Sequence, residues 1–467
     1  MLGGCPPNDP RVRVPLRSLP LLLLALPGTA AAAEVAWDGF YASSAHFYDS
    51  LSMSDSNARA EGHSAYLDHR ARLAPSLLLS DKVALRTQVD LLPWVLWGGD
   101  PVVPTDNATG EELALTSTQA VEAPTTDDGA ATLQNIAVTR LWGELNTGIG
   151  VVRFGRMPVE WGTGMVFNAG NNPTNITGDT SDRVQITSPI GPVHVIGGLE
   201  LPYEGFIGEP DDLRGVFAGV LYQSETAALG TYNSFRWQKY EDDSFTAWIG
   251  DLWAKAQLGP AVIEGEFAAI VGSGDLSTGA NDVSIVSFGA NLGGSYQPEH
   301  QRIGLCLGVA GGDGDEEDSK LSTFAFDPNF DVALLMFEQP MPLLETQVKN
   351  DANGGRDTEA VRTGNGLQNA LYLRPSVGWQ LNDKLTGDLS LFAARATKLP
   401  DDADTERGYG TEVDVDVNFT PFEHFLLRST TGVLLPGPYY RDYEHDDLGG
   451  GFDRPVFGTR LVASVEF

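Results

Sequence analysis

The chain has 467 residues, with 30 Lys and Arg against 63 Asp and Glu, a formal net charge of −33. That acid excess argues against nucleic acid as a partner, which needs a basic surface to displace phosphate counterions. Mean hydropathy is −0.14, and past residue 33 no run of 18 apolar residues occurs, so a helical membrane span is not expected. The 53 glycines and short valine- and aromatic-rich segments point to an all-β chain.

Residues 1–33 read as a secretory signal peptide. Arg11, Arg13 and Arg17 form a positive n-region, and Leu19 to Leu26 supplies an apolar core too short for a permanent anchor. Ala31-Ala32-Ala33 offers an A-x-A cleavage site before Glu34. Cys5 precedes the apolar core, so the mature chain keeps only Cys306 and has no second cysteine for an intramolecular disulfide.

From Glu34 onward the chain alternates in polarity between turn signals. Short turns fall near Ser80-Asp81-Lys82, Thr147-Gly148, Gly191-Pro192, Ser224-Glu225-Thr226, Gly259-Pro260, Gln297-Pro298-Glu299, Asn382-Asp383 and Thr420-Pro421-Phe422. Between or beyond them lie longer stretches at 49–60, 98–131, 160–182, 201–213, 241–244, 272–282, 311–367, 400–408 and 436–454. Eight turns and nine loops make seventeen connections, hence about 18 strands. An even count with both termini on one side is what a transmembrane antiparallel β-barrel requires, with short periplasmic turns and long extracellular loops. Such strands need about 9–11 residues each. A soluble sandwich, propeller or solenoid could alternate too, but has no reason to keep short turns at one end and long acidic loops at the other.

Several strands show their two faces plainly. Val413, Val415, Val417 and Phe419 alternate with Glu412, Asp414, Asp416 and Asn418; Ile303, Leu305, Leu307 and Val309 alternate with Arg302, Gly304, Cys306 and Gly308. Leu371, Leu373, Val377 and Trp379 alternate with Tyr372, Arg374 and Gln380. The segments 193–200, 214–223 and 283–296 have ambiguous parity. Trp94, Trp97, Trp161, Tyr439 and Tyr440 sit near strand ends, where interfacial aromatic girdles belong; burial in a core is the alternative for each. Segment 311–367 carries an apolar patch, Val332 to Phe337, that a surface loop must bury in the barrel mouth or against a neighbouring loop. The final segment places Phe457, Leu461, Ala463, Val465 and Phe467 on one face, and resembles the strand by which outer-membrane barrels are recognised by the barrel-assembly machinery.

If apolar positions face lipid, the opposite parity faces a lumen, because charge at the bilayer midplane costs about 2–4 kcal/mol for Arg or Lys. The basic pore-lining candidates are Arg70, Arg72, Arg86, Arg140, Arg153, Arg236, Lys255, Arg302, Arg374, Arg428 and Arg460. The acidic ones are Asp68, Asp90, Glu144, Asp251, Glu264, Glu266, Asp388, Glu412, Asp414, Asp416 and Glu466. Folding about the turns sets Lys255 opposite Glu264, Arg72 opposite Asp90, Glu144 near Arg153 and Asp416 near Arg428. Two readings stay open: a self-neutralising wall lattice, or a basic conduction path built on Arg70, Arg72 and Arg86 with Arg302 and Arg374.

Catalytic and metal signatures are missing. The seven histidines have no H-x-x-x-H or H-E-x-x-H spacing, and no G-x-S-x-G occurs. Asp313-Gly-Asp315-Glu-Glu-Asp318 has a calcium-loop flavour but lacks the glycine at position six and the later glutamate, so a solvated acidic loop is the plainer reading.

Three stretches resemble a known family. Phe154-Gly-Arg-Met-Pro-Val-Glu-Trp-Gly-Thr-Gly164, the hairpin Asp251 to Glu266, and Gly410 to Tyr440 are similar to segments of the alginate-export and related porin-like barrels. The resemblance implies an eighteen-stranded outer-membrane barrel. Alginate exporters carry an arginine-rich pore, whereas the lumen read above is charge-balanced. The expectation is therefore a Gram-negative outer-membrane channel, porin-like and passive, for small or polymeric solutes, with no catalysis and no cofactor. Outer-membrane lipid and lipopolysaccharide would surround it. The alternative is a structural or adhesive barrel with a plugged lumen, acting through its loops. The nine loops hold 42 acids and 8 bases, so the net charge belongs to the exterior and says little about the pore.

Overall fold

Alternation with a period of two gives each strand one apolar and one polar face, and a sheet in lipid must close so that no backbone edge goes unpaired. The computed structural model describes residues 34–51, 63–96, 136–175, 178–203, 212–240, 243–274, 283–314, 320–339, 342–344, 360–362, 366–399, 406–441 and 454–467. The expected signal peptide, all of loop 98–131, Trp97 and Asp315 to Asp318 lie outside these residues, as does the side chain of Trp94.

Eighteen strands form the wall: β1 (Gly39–Asp49), β2 (His63–Leu73), β3 (Val83–Leu96), β4 (Ile136–Thr147), β5 (Gly150–Pro158) and β6 (Thr180–Ile190). They continue as β7 (Val193–Tyr203), β8 (Leu213–Gln223), β9 (Ala227–Tyr240), β10 (Asp243–Leu258), β11 (Ala261–Gly274) and β12 (Val283–Tyr296). The circuit ends with β13 (Gln301–Ala310), β14 (Ala370–Asn382), β15 (Leu385–Ala396), β16 (Gly408–Phe422), β17 (Phe425–Pro436) and β18 (Val456–Glu466). Each pairs antiparallel with its sequence neighbour, and β18 returns to β1 with Phe40 opposite Glu466 and Asp49 opposite Phe457, closing the barrel. No helix among the described residues is long and apolar enough to cross a membrane.

Seven of the eight short turns fall where the sequence places them. The last is displaced: β16 runs through Thr420-Pro421-Phe422, and the turn is Glu423-His424, with His424 at φ 64°. Pro421, which cannot donate to the ladder, sits where the β16–β17 register shifts between Phe419 and Phe422.

The outer surface is a band of exposed Leu, Val, Ile and Phe, including Leu141, Phe154, Leu199, Leu252, Phe267, Leu305, Leu373 and Val415. Water would not tolerate so continuous an apolar surface; hydrocarbon does. Tyr41, Tyr222, Tyr296, Trp379, Phe422 and Phe467 are exposed near the short-turn end, where a girdle belongs. Trp161, Tyr439 and Tyr440, read from sequence as girdle candidates, are instead buried. Trp161 packs on Tyr232, and the two tyrosines stack around Tyr409 from the helical turn Pro438–Arg441.

The three ambiguous segments resolve for one reason: their inner faces are apolar too. β8 turns Val216, Ala218 and Val220 outward but Phe217 and Leu221 inward; β12 turns Val286 and Phe288 outward but Val283 and Ile285 inward. In β7, Val195 and Leu199 are exposed, while Ile196 packs against the cluster around Trp161. Inward apolar residues need apolar partners, and two loops folded into the lumen supply them.

Candidate functional site in the barrel lumen

The first inward loop joins β5 to β6 and is fastened on opposite walls. Its leading turn carries Trp161, whose ring packs on Tyr232 at 5.5 Å and whose Nε1 donates to Asp251 on β10 at 3.1 Å. The Thr163 N–H and hydroxyl both donate to Glu266 on β11, the hydroxyl at 2.6 Å. Gly230 on β9 is the seat: a Cβ there would lie 2.8 Å from the indole. The returning half of the loop meets arginines. Arg72 donates to Gly170 O at 2.9 Å, and Arg140 donates to Ala169 O and to Asn171 Oδ1.

The second loop, between β13 and β14, is described only in part. Phe324 and Phe326 stand over Gly289 of β12, where a Cβ would lie 2.4 Å from Phe324. Phe326 N–H donates to Leu367 O at 2.8 Å, and Phe324 N–H to Gly311 O at 2.9 Å. From there Phe330 to Phe337 cross to the far wall. Leu335 rests over Gly458 of β18, and Phe337 packs edge-on against Tyr409 of β16 and Phe392 of β15. Glu412 of β16 accepts the backbone N–H groups of Leu334, Leu335 and Met336 at 2.9, 2.7 and 2.8 Å. The apolar patch of residues 332–337 is thus buried in the lumen.

The two loops touch. Asp327 N–H donates to Met165 O at 2.8 Å. Burial pushes the Asp327 carboxyl up to about 8, and the nearby Asp179 carboxylate adds to it. Burial also raises Asp179, to about 6, against the lowering effects of the Asn168 N–H and of Arg236, Arg183 and Arg140.

All the candidate charges but Glu466, which is exposed at the end of β18, are buried or half-buried, in contrast to the exposed apolar residues beside them. The four turn-derived pairs form: Arg72–Asp90 at 2.6 Å, Arg153–Glu144 at 2.9 Å, Lys255–Glu264 at 3.0 Å and Arg428–Asp416 at 2.8 Å. Arg86 joins Glu144 at 3.2 Å, Arg236 joins Glu200 at 3.0 Å, and Arg302 pairs with Asp388. Four bases have no carboxylate partner within 4 Å among the described residues. Arg70 lies over the Phe40 ring at 5.5 Å; Arg140 serves the first loop; Arg374 donates to Ser390; Arg460 stands on β18. Among the carboxylates, Glu266 and Glu412 hold loops, and Asp414 lies beside Glu412.

Sequence reading missed Arg183 and Glu200. Arg183 NH2 pairs with Glu200, which also accepts from Ser234 at 2.7 Å, and donates to Tyr232 at 3.0 Å. Glu200 lies on β7, whose parity was ambiguous, and Arg183 lies on β6, just past the stretch 160–182 read as a loop. Arg156, outward on β5, pairs with Asp182 at 2.8 Å and belongs to the outer rim rather than the lumen. Among the described residues no group of three His, Cys, Asp or Glu is arranged to hold a metal ion.

No protein-family model matches the chain, and no curated protein sequence does. Solved structures do. OccK9 (OpdG) from Pseudomonas aeruginosa aligns over 93% of this chain and 99% of its own, with 13% identity and a TM-score of 0.52. A BenF-like porin from Pseudomonas fluorescens Pf-5 aligns over 93% and 98%, with 10% identity and a TM-score of 0.51. The chain has the closed eighteen-stranded antiparallel fold of these outer-membrane barrels.

Proposed function

We propose that this chain is an outer-membrane channel through which small solutes pass passively, along a charged lumen shaped by two inward loops. The observation that carries it is the pairing of an apolar exterior with an inner face of ion pairs and arginines. A barrel serving only as an anchor has no need of so polar an interior. Reconstitution in a planar bilayer tests it: discrete conductance steps are expected, and a barrel silent both intact and with 311–367 deleted overturns it. Because most lumenal bases are paired, selectivity should be mild.

A second reading has its own support. The contact between Asp327 and Met165 joins the two loops across the lumen, which favours a plugged barrel acting through its outer loops. Silence of the intact barrel, with current after loop deletion, would assign that role.

The reading assigns no reaction and no cofactor. It takes 1–33 as a cleaved signal peptide, β18 as the strand engaged by the assembly machinery, and lipopolysaccharide as the outer-leaflet neighbour. The finer kinship with alginate-export barrels rests on the three quoted stretches. Two of them supply the parts of one contact: Trp161 and Thr163 come from the first, Asp251 and Glu266 from the second. The third contains Glu412, Tyr439 and Tyr440. What the resemblance picks out is the set of residues that seats loops, and it is silent on substrate.

A further inference from the structure

We infer that Glu412 is the positioning residue of the second loop, a latch that holds the turn Leu334–Met336 against β16–β18 and so sets the opening on that side of the lumen. The inference rests on the channel reading for its consequence but not for its geometry. Three successive backbone N–H groups converge on one carboxylate, at 2.9 and 2.7 Å on Oε1 and 2.8 Å on Oε2. Successive amides form a concave nest for an anion, and here the anion is supplied by the wall itself. Phe337, next in the chain, adopts φ 69°, and Gln339 N–H closes the turn on Leu335 O at 3.0 Å.

Among the described residues these are the only hydrogen bonds from 332–337 to the wall. The remaining contacts are apolar, Leu334 over Gly432 and Leu335 over Gly458 and beside Tyr48. Arg460 lies within electrostatic reach of Asp331 and Glu338 in the same loop. It attracts the loop broadly, whereas Glu412 fixes where the turn lands. The start of the segment is tied down separately by the backbone bonds of Phe324 and Phe326. Losing Glu412 therefore frees one end of the crossing and leaves the other in place.

The test places a thiol at Leu335→Cys, in a background with C5S and C306S, and measures labelling by a membrane-impermeant maleimide in outer-membrane vesicles. Loss of even one hydrogen bond to a charged acceptor shifts the docked-to-free ratio by about tenfold, so labelling should rise by about that factor in E412A and by less in E412Q. Heat-modifiable gel mobility reports that the barrel itself is folded in each variant. In bilayers E412A should conduct more than the parent, with added flicker. Adding L335C together with G458C to E412A replaces the latch by a disulfide, which should restore the parent conductance until a reductant is added. Labelling and conductance both unchanged in E412A would overturn the latch. Increased labelling with no current in any variant would leave the latch standing and overturn the channel.

Discussion

The two inward loops reach the same lumen by different physics. The β5–β6 loop is held by polar side chains from four strands on opposing walls: Asp251 and Glu266 on one side, Arg72 and Arg140 on the other. The β13–β14 loop lies on aromatic and aliphatic side chains and meets the wall through a single carboxylate at its far end. Many directed hydrogen bonds fix position and orientation together, whereas apolar contact is roughly proportional to area and tolerates sliding. The first loop is therefore a fixed shelf and the second an adjustable one.

The largest expected effect falls on the shelf. Trp161→Ala removes an aromatic packed on Tyr232 and Phe217, and large-to-small changes of this kind cost about 3–5 kcal/mol. Trp161→Phe keeps a ring but leaves the buried Asp251 without its donor, at about 1–3 kcal/mol. Protease cleavage within 159–179 in folded barrels should follow that order. Equal resistance of W161A and the parent would mean that the loop is held by its arginines alone.

A smaller effect is expected where the loops meet, and its sign can be fixed. Asp327 and Asp179 are raised from 3.8 to about 8 and about 6. A carboxyl raised on docking supports the docked state fully below its ordinary value and loses that support as pH rises through the raised one. Contact between the loops should thus be tightest in acid and weaken progressively up to pH about 8. Asp327 faces Asp179 and Asp331, while Asp179 also faces three arginines, so the upper part of the window belongs to Asp327. Conductance should be lower at about pH 5 than at about pH 9, and Asp327→Asn should flatten the upper half of that profile. A profile that runs the other way would separate the two loops energetically.

The smallest effect is a control on the wall. Lys255 and Glu264 form a pair that is partly exposed near the short-turn end, away from both loops. Lys255→Ala should alter urea stability by only about 0–1 kcal/mol and leave protease resistance of both loops unchanged. A larger change would show that wall pairs and loop seating are coupled.

The same contrast explains what was legible in the sequence. Strand number, seven turns and four cross-strand ion pairs follow from local rules: period-two alternation, Gly and Pro punctuation, and register set by a short turn. Those rules assume that only one face is apolar. They break down in β7, β8 and β12, where Ile196 and Phe217 join the cluster around Trp161 and Val283 and Ile285 are buried on the inner face. Trp161, Tyr439 and Tyr440 misled for the same reason, since an aromatic near a strand end reads alike whether it faces lipid or a loop seat. The roles of Glu266 and Glu412 were hidden further. As wall carboxylates they were visible by parity, but their partners are backbone amides, joined at Glu266 by the Thr163 hydroxyl, 103 residues away for Glu266 and 76 to 78 for Glu412. Backbone amides leave no trace in residue identity.

The seam between β1 and β18 carries a consequence for how the molecule is made. Every other pairing in the wall joins strands adjacent in sequence, but Phe40 meets Glu466 and Asp49 meets Phe457 only across the whole length of the chain. Contacts of such separation carry the largest ordering cost and come late in folding. Until they form, the growing sheet exposes two unsatisfied edges, the condition most prone to pairing with a stranger. The final strand is thus the one whose arrival turns an aggregation-prone ribbon into a sealed cylinder, and damage there should lower yield before it alters transport.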